Sequence, residues 1–151
     1  MWDTLNLGLD NSNAHDTLAL SIQSEGENGW VQWNIPWWKS NATAFDWLSL
    51  RIGQRAGTPA ADISVQLLNY NVWSAPVNLS DFGPIAQPVT VCLETKGTGC
   101  FAGAPAMENM STIHVPLSEF GFHNNVRAVR IRIDGESIDE EYLIDNLAFT
   151  D

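Results

Sequence analysis

Along this chain, hydrophobic positions recur at every second residue rather than every third or fourth. A strand sends successive side chains to opposite faces, so such stretches have one buried side and one outward side. The stretch Gly29-Trp30-Val31-Gln32-Trp33-Asn34-Ile35 shows this most sharply. Val31, Trp33 and Ile35 form its inward set, and Trp30, Gln32 and Asn34 its outward set. Pro36 ends the strand because it brings no amide hydrogen to the ladder, which leaves Trp37 and Trp38 in a loop.

The same period predicts strands elsewhere. Residues 17–23 turn Leu18, Leu20 and Ile22 inward. Residues 45–52 bury Leu48, Leu50 and Ile52 and present Trp47, Ser49 and Arg51. Residues 62–70 bury Ile63, Val65 and Leu67 and present Ser64, Gln66, Leu68 and Tyr70. Residues 111–117 present His114, and residues 126–134 bury Val129, Ile131 and Ile133 beneath Arg130, Arg132 and Asp134. Residues 2–9 read as a first, edge strand and residues 141–150 as the last. Between them, residues 71–109 are irregular, with Trp73, several prolines and short strands near 77–79 and 89–93. So long a stretch with little regular structure is usually functional. No segment has sustained helical periodicity, so the expected fold is all-β: one antiparallel β-sandwich domain over residues 1–151.

Composition narrows the function. The formal net charge of −11 selects against nucleic acid and against anionic membrane surfaces. No stretch is apolar and long enough to insert across a bilayer. No signal peptide opens the chain, and Met1 directly precedes a folded-looking segment. A piece of a longer secreted protein is therefore expected. Cys92 and Cys100 flank a turn with Gly97 and Gly99 at its tip, which predicts a disulfide-closed hairpin. Such a short loop contributes about 2.5 kcal/mol in the chain-entropy account and points to an oxidising, secreted or periplasmic setting.

If the strands carrying Trp30, Trp47, Gln66, His114 and Arg130 share one sheet, their outward side chains form a single surface. That surface has saccharide chemistry. Trp30 and Trp47 would stack on the apolar faces of sugar rings. Gln32, Gln66, Arg51, Tyr70 and Arg130 would meet hydroxyl groups. Trp37, Trp38 and Trp73 offer a further platform at the rim or pack beneath the long loop. Three arginines, Arg51, Arg130 and Arg132, favour an acidic polysaccharide, although they would serve equally as partners for surface carboxylates. Gly-x-Ser-x-Gly, His-Glu-x-x-His and phosphate-loop motifs are all missing from the sequence, while its plentiful carboxylates leave a glycosidase pair open.

Three segments resemble jelly-roll carbohydrate-binding modules of the galactose-binding-like β-sandwich superfamily. Thr112-Ile113-His114-Val115-Pro116-Leu117-Ser118-Glu119-Phe120 is similar to their Pro-Leu-Ser-x-Phe strand. Val129–Asp134 followed by Tyr142–Phe149 resembles their closing strand pair with its Ile-Asp-Asn ending, and residues 45–52 resemble their aromatic-x-x-Leu strand. The resemblance implies a non-catalytic polysaccharide- or oligosaccharide-binding module, not itself an enzyme, attached to the catalytic domain of an extracellular enzyme. It also implies a structural calcium where the N-terminal region meets the last strand, with Asp10, Asn13, Asp16 and Asp145 as ligands and Asn11 nearby. An Asx-turn cluster without metal is the alternative for those residues. For the whole chain, the alternative is an accessory domain that docks onto a catalytic domain or partner protein, since exposed tryptophans suit an interface equally well.

Overall fold

The structure is a computed structural model that describes residues 5–10, 19–25, 29–56, 63–87, 89–90, 106–107, 109–133 and 138–151. The alternating stretches are strands. In chain order they are β1 (Leu5–Asp10), β2 (Ala19–Glu25), β3 (Gly29–Asn34), β4 (Trp47–Ala56), β5 (Ile63–Asn69), β6 (Val72–Trp73), β7 (Val77–Asn78), β8 (Val89–Thr90), β9 (Ala106–Met107), β10 (Ser111–Pro116), β11 (Val126–Ile133) and β12 (Ile138–Thr150). The only helical elements among the described residues are short 3-10 turns at Trp37–Lys39, Leu79–Asp81 and Leu117–Phe120.

Two sheets face each other. Sheet A has the order β1-β2-β12-β4-β10, and sheet B the order β3-β11-β5-β6, with β7 also paired to β5. Every pairing between these strands is antiparallel. β8 and β9 form a separate ribbon within the long 71–109 segment. Consecutive long strands alternate between sheets: β2 in A, β3 in B, β4 in A, β5 in B, then β10 in A, β11 in B and β12 in A. This alternation is that of a jelly roll, and it controls which outward side chains can ever be neighbours.

The core lies between the sheets. Ile22, Leu48, Leu50, Ile52, Ile113, Val115 and Tyr142 fill it from sheet A, and Ile63, Val65, Leu67, Val129, Ile131 and Ile133 from sheet B. The inward sets read from sequence are thus the ones buried, apart from Leu18, which lies outside the described residues, and Leu20, Trp33 and Ile35, which are only half-buried. Trp33 on the edge strand β3 and Ile35 just after it line a pocket with Leu20, Leu147 and Phe149 instead of the closed centre.

Two local features shape the outer faces. In β12 the register shifts between Asp145 and Ala148, and Asn146 takes a positive φ of 51°. Asparagine tolerates that conformation better than most residues. The Asn146 amide donates to Asp145 Oδ1 at 2.7 Å, so the bulge fixes the Asp145 side chain. In β4, Gly53 stands where the long segment returns: Gln54 N donates to Ala86 O at 2.8 Å, and a Cβ at Gly53 would collide with the Asn109 carbonyl. The absent side chain admits that close backbone approach.

Candidate functional site

The outer face of sheet B gathers the chemistry. On β11, Arg130 pairs with Gln32 of β3 on one side and Gln66 of β5 on the other. One row away, Arg132 pairs with Trp30 and Ser64. One row the other way, Ala128 lies between Asn34 and Leu68, and Leu68 pairs with Trp73 of β6. Trp30 and Trp73 therefore stand diagonally on opposite sides of Arg130. Its guanidinium carbon is 4.3 Å from the Trp30 ring centroid and 3.9 Å from that of Trp73. The three side chains form one ladder of ring, guanidinium and ring.

Amides border the ladder. Arg130 Nη2 donates to Gln32 Oε1 at 3.1 Å, and Gln32 Nε2 donates to Asn34 Oδ1 at 2.7 Å. Gln66 does something else. It is buried, and its Nε2 donates to the Ser74 carbonyl at 2.8 Å. Ser74 in turn bonds the Leu67 backbone in both directions, through its N–H to Leu67 O at 2.8 Å and its Oγ from Leu67 N at 3.0 Å. Gln66 thus pins the short strand β6 and holds Trp73 in the ladder. Gln66, expected to meet hydroxyl groups, is thus buried and engaged within the chain beside the β6 return.

The guanidinium is partly desolvated. Burial first, and the Arg132 charge second, lower the Arg130 pKa below the ordinary guanidinium value. Its Nε is buried with no hydrogen-bond partner. The π-faces of two indoles compensate in part, since cation–π attraction strengthens as water is removed. Chemically, the face combines flat apolar rings with amide donors and acceptors and a fixed cation, which is the recognition set that a pyranose needs. Trp30 remains 40% exposed.

The other outward residues lie elsewhere. Trp47, Ser49 and Arg51 are on β4 and His114 is on β10, all in sheet A. The single surface joining Trp30 to Trp47 does not form, because the chain crosses between sheets after β3 and outward faces of opposite sheets point apart. On sheet A, Ser49 is buried and its Oγ lies 2.7 Å from His114 Nδ1 and 2.6 Å from Thr150 Oγ1. Trp47 meets the His114 ring edge-on with centroids 6.3 Å apart. Arg51 Nη1 is 3.7 Å from Asp145 Oδ2, so this arginine faces a carboxylate of its own chain. Tyr70 is not a strand residue but the turn after β5, at a positive φ of 54°, with its N–H donating to Asn125 O at 2.9 Å.

Of the four residues expected to hold calcium, Asn13 and Asp16 lie outside the described residues, as do Cys92 and Cys100. Asp10 pairs with Ala19 across the β1–β2 ladder, and Ile144 pairs with Leu20. Asp10 and Asp145 therefore come to the same end of sheet A. The described residues contain no cluster of three metal-ligating side chains, and Asp145 is already engaged with Arg51 and its own bulge.

No protein-family model matches the sequence, and neither does any curated protein sequence. Solved structures do match the fold. The fold is a β-sandwich similar to that of family 30 carbohydrate-binding modules, which superpose over nearly the whole chain. One family 30 module aligns at a TM-score of 0.61 and 10% identity, covering 100% of this chain and 83% of that one. The family 30 module of a cellulosomal cellulase of Clostridium thermocellum aligns at 0.59 and 12%, covering 97% and 88%. A β-1,2-glucanase from Parabacteroides distasonis aligns at 0.64 and 12%; the match covers 97% of this chain but only 21% of that enzyme. No helix among the described residues is long and apolar enough to cross a membrane.

Proposed function

We propose that this chain is a non-catalytic carbohydrate-binding module that holds a polysaccharide on the outer face of sheet B and thereby targets an attached extracellular enzyme. The observation that carries the reading is the Trp30–Arg130–Trp73 ladder bordered by Gln32 and Asn34. Trp30 and Trp73 supply stacking surface, Gln32 and Asn34 meet hydroxyl groups, and Arg130 spaces the rings and offers its remaining N–H groups. The fold it shares with family 30 modules supports the reading, as does a fold of this kind spanning a fifth of a larger glucanase. A structural calcium at the Asp10–Asp145 end and a Cys92–Cys100 disulfide belong to the same proposal. They suit a secreted setting.

Stacking on two rings with a few hydrogen bonds, after association costs, gives dissociation constants of roughly micromolar to millimolar. Affinity electrophoresis tests the reading, using soluble neutral and acidic polysaccharides. Retardation of the parent domain by at least one class, lost on Trp30→Ala, is expected. A domain that none of them retards would sink it.

A further inference from the structure

Among the described residues, the most exposed aromatic side chains are not on the sheet B face. Phe122 is 86% exposed, Trp37 70% and Trp38 67%; Tyr70 and Val72 are also exposed. Trp37 and Trp38 lie in the turn after β3, Tyr70 and the first β6 residue Val72 in the β5–β6 return, and Phe122 in the loop before β11, all at one end of the sandwich. These loops are tied into one surface by backbone bonds. Ala42 N donates to His123 O at 3.1 Å, Val126 N to Ser40 O at 2.7 Å and Tyr70 N to Asn125 O at 2.9 Å. Asn69 reinforces the junction, its Oδ1 accepting from Asn125 N at 2.8 Å. Trp37 and Trp38 meet edge to face with centroids 5.8 Å apart.

The composition of this end departs from the rest of the chain. The sequence has 18 acidic residues in 151, yet residues 36–43, 69–73 and 121–127 contain no Asp or Glu. In their place stand Asn41, Asn69, Asn71, Asn124 and Asn125, with Lys39 and Arg127. Rings separated by neutral amides suit hydroxyl-rich ligands, whereas a protein interface concentrates its apolar residues at a central core.

The end is also continuous with the ladder. The last outward row of sheet B is Asn34, Ala128, Leu68 and Trp73. From Asn34 the chain runs through Ile35 and Pro36 to Trp37; from Leu68 it runs through Asn69 to Tyr70, and Val72 adjoins Trp73. From Trp30 to the end of β3 at Asn34 the strand runs about 13 Å at strand rise, and Trp37 lies beyond that end, so a ligand touching both rings is longer than a single sugar.

We infer that the Trp37–Trp38–Tyr70–Phe122 end is a second saccharide-contacting surface that continues the sheet B face, so that the ligand is an extended glycan running along the strands and over the loop end. This rests on the proposed function and adds to it the ligand's length and direction. A glycan held this way is gripped along an internal segment of several sugars, not at one terminal sugar.

The test compares the parent domain, Trp30→Ala and the double variant Trp37→Ala/Trp38→Ala. The probes are hydroxyethylcellulose, mixed-linkage glucan, β-1,2-glucan and polygalacturonate, followed by calorimetry with size-graded oligosaccharides from whichever is retained. Both loop rings are solvent-exposed, so the double variant should melt with the parent. The expected result is affinity that rises with oligosaccharide length in the parent. In the double variant it should fall at least tenfold for the long oligosaccharides and stay unchanged for the shortest that binds, while Trp30→Ala weakens all lengths. A double variant equal to the parent at every length overturns the inference and leaves the proposed function standing. Loss in the double variant with Trp30→Ala unaffected overturns the continuity of the two surfaces. Retention of the parent by no probe overturns the proposed function, and this inference with it. Self-association of the parent in sedimentation velocity, abolished by the double variant, would assign the end to protein contact and overturn the inference as well.

Discussion

Arg130 lies over Trp30 although the two are not partners in the sheet. Across the ladder Arg130 faces Gln32, and it is Arg132 that faces Trp30; the Arg130 side chain leans one row along its strand to place its guanidinium 4.3 Å from the ring. Diagonal neighbours in an antiparallel pair are within reach of long and aromatic side chains. Because the same guanidinium also meets Trp73, both rings are held before any ligand arrives. Preorganisation of that kind lowers the ordering cost of binding.

Replacement of Arg130 tests the ladder. Arg130→Ala is expected to lower the melting temperature and stability by about 1 kcal/mol, from lost cation–π and stem packing. It should weaken saccharide binding roughly tenfold as the rings lose their spacing. Arg130→Lys keeps the charge but not the planar fork, so it should fall between. Thermal melts and titration on the same samples read both effects, and a silent Arg130→Ala would mean that the rings need no spacer.

The division of the outward tryptophans between sheets gives a second test. Trp30→Ala should reduce affinity by about 2 kcal/mol, or roughly thirtyfold, on the area scale of one stacking face. Trp47→Ala, on the opposite sheet, should leave retention unchanged. Affinity electrophoresis of the pair separates the faces directly; equal losses would show that both sheets take part.

Gly53 is expected to be intolerant of any side chain. Gly53→Ala places a methyl group against the Asn109 carbonyl, so β4 or the returning segment must shift. Such overpacking costs about 1–3 kcal/mol. Urea denaturation should show a lower midpoint with an unchanged slope. A midpoint equal to the parent's would show that the 109–110 backbone yields freely.

Calcium is tested by chelation. If Asp10 and Asp145 hold the metal, EDTA should lower the melting temperature and added calcium restore it, since a ligand of the native state stabilises by mass action. Asp145→Ala should abolish the calcium response. An unchanged melting temperature leaves these residues to the bulge and to Arg51.

Much of the molecule was legible along the chain. The period of two identified the long strands and their buried sets, because side-chain direction in a strand is a local property of the backbone. That logic made Trp30, Gln32, Arg130 and Trp47 outward, and all four are. It could not say which of them share a face. Strand pairing joins residues far apart in sequence, and only the tertiary structure shows that β3, β11 and β5 adjoin while β4 lies across the core. The same limit hid the fate of Gln66, which alternation turns outward but which the β6 return buries under a bond to Ser74. Trp73 was expected as a rim ring in an irregular stretch, with no partner on the sheet named for it. Its place against Arg130 follows from a two-residue strand too short to show a period. The sequence by itself determined the long strands, most of their inner faces and which side chains turn outward. The assembly of Trp30, Arg130 and Trp73 into one ladder was decided by the alternation of strands between two sheets, a long-range choice that the local pattern does not encode.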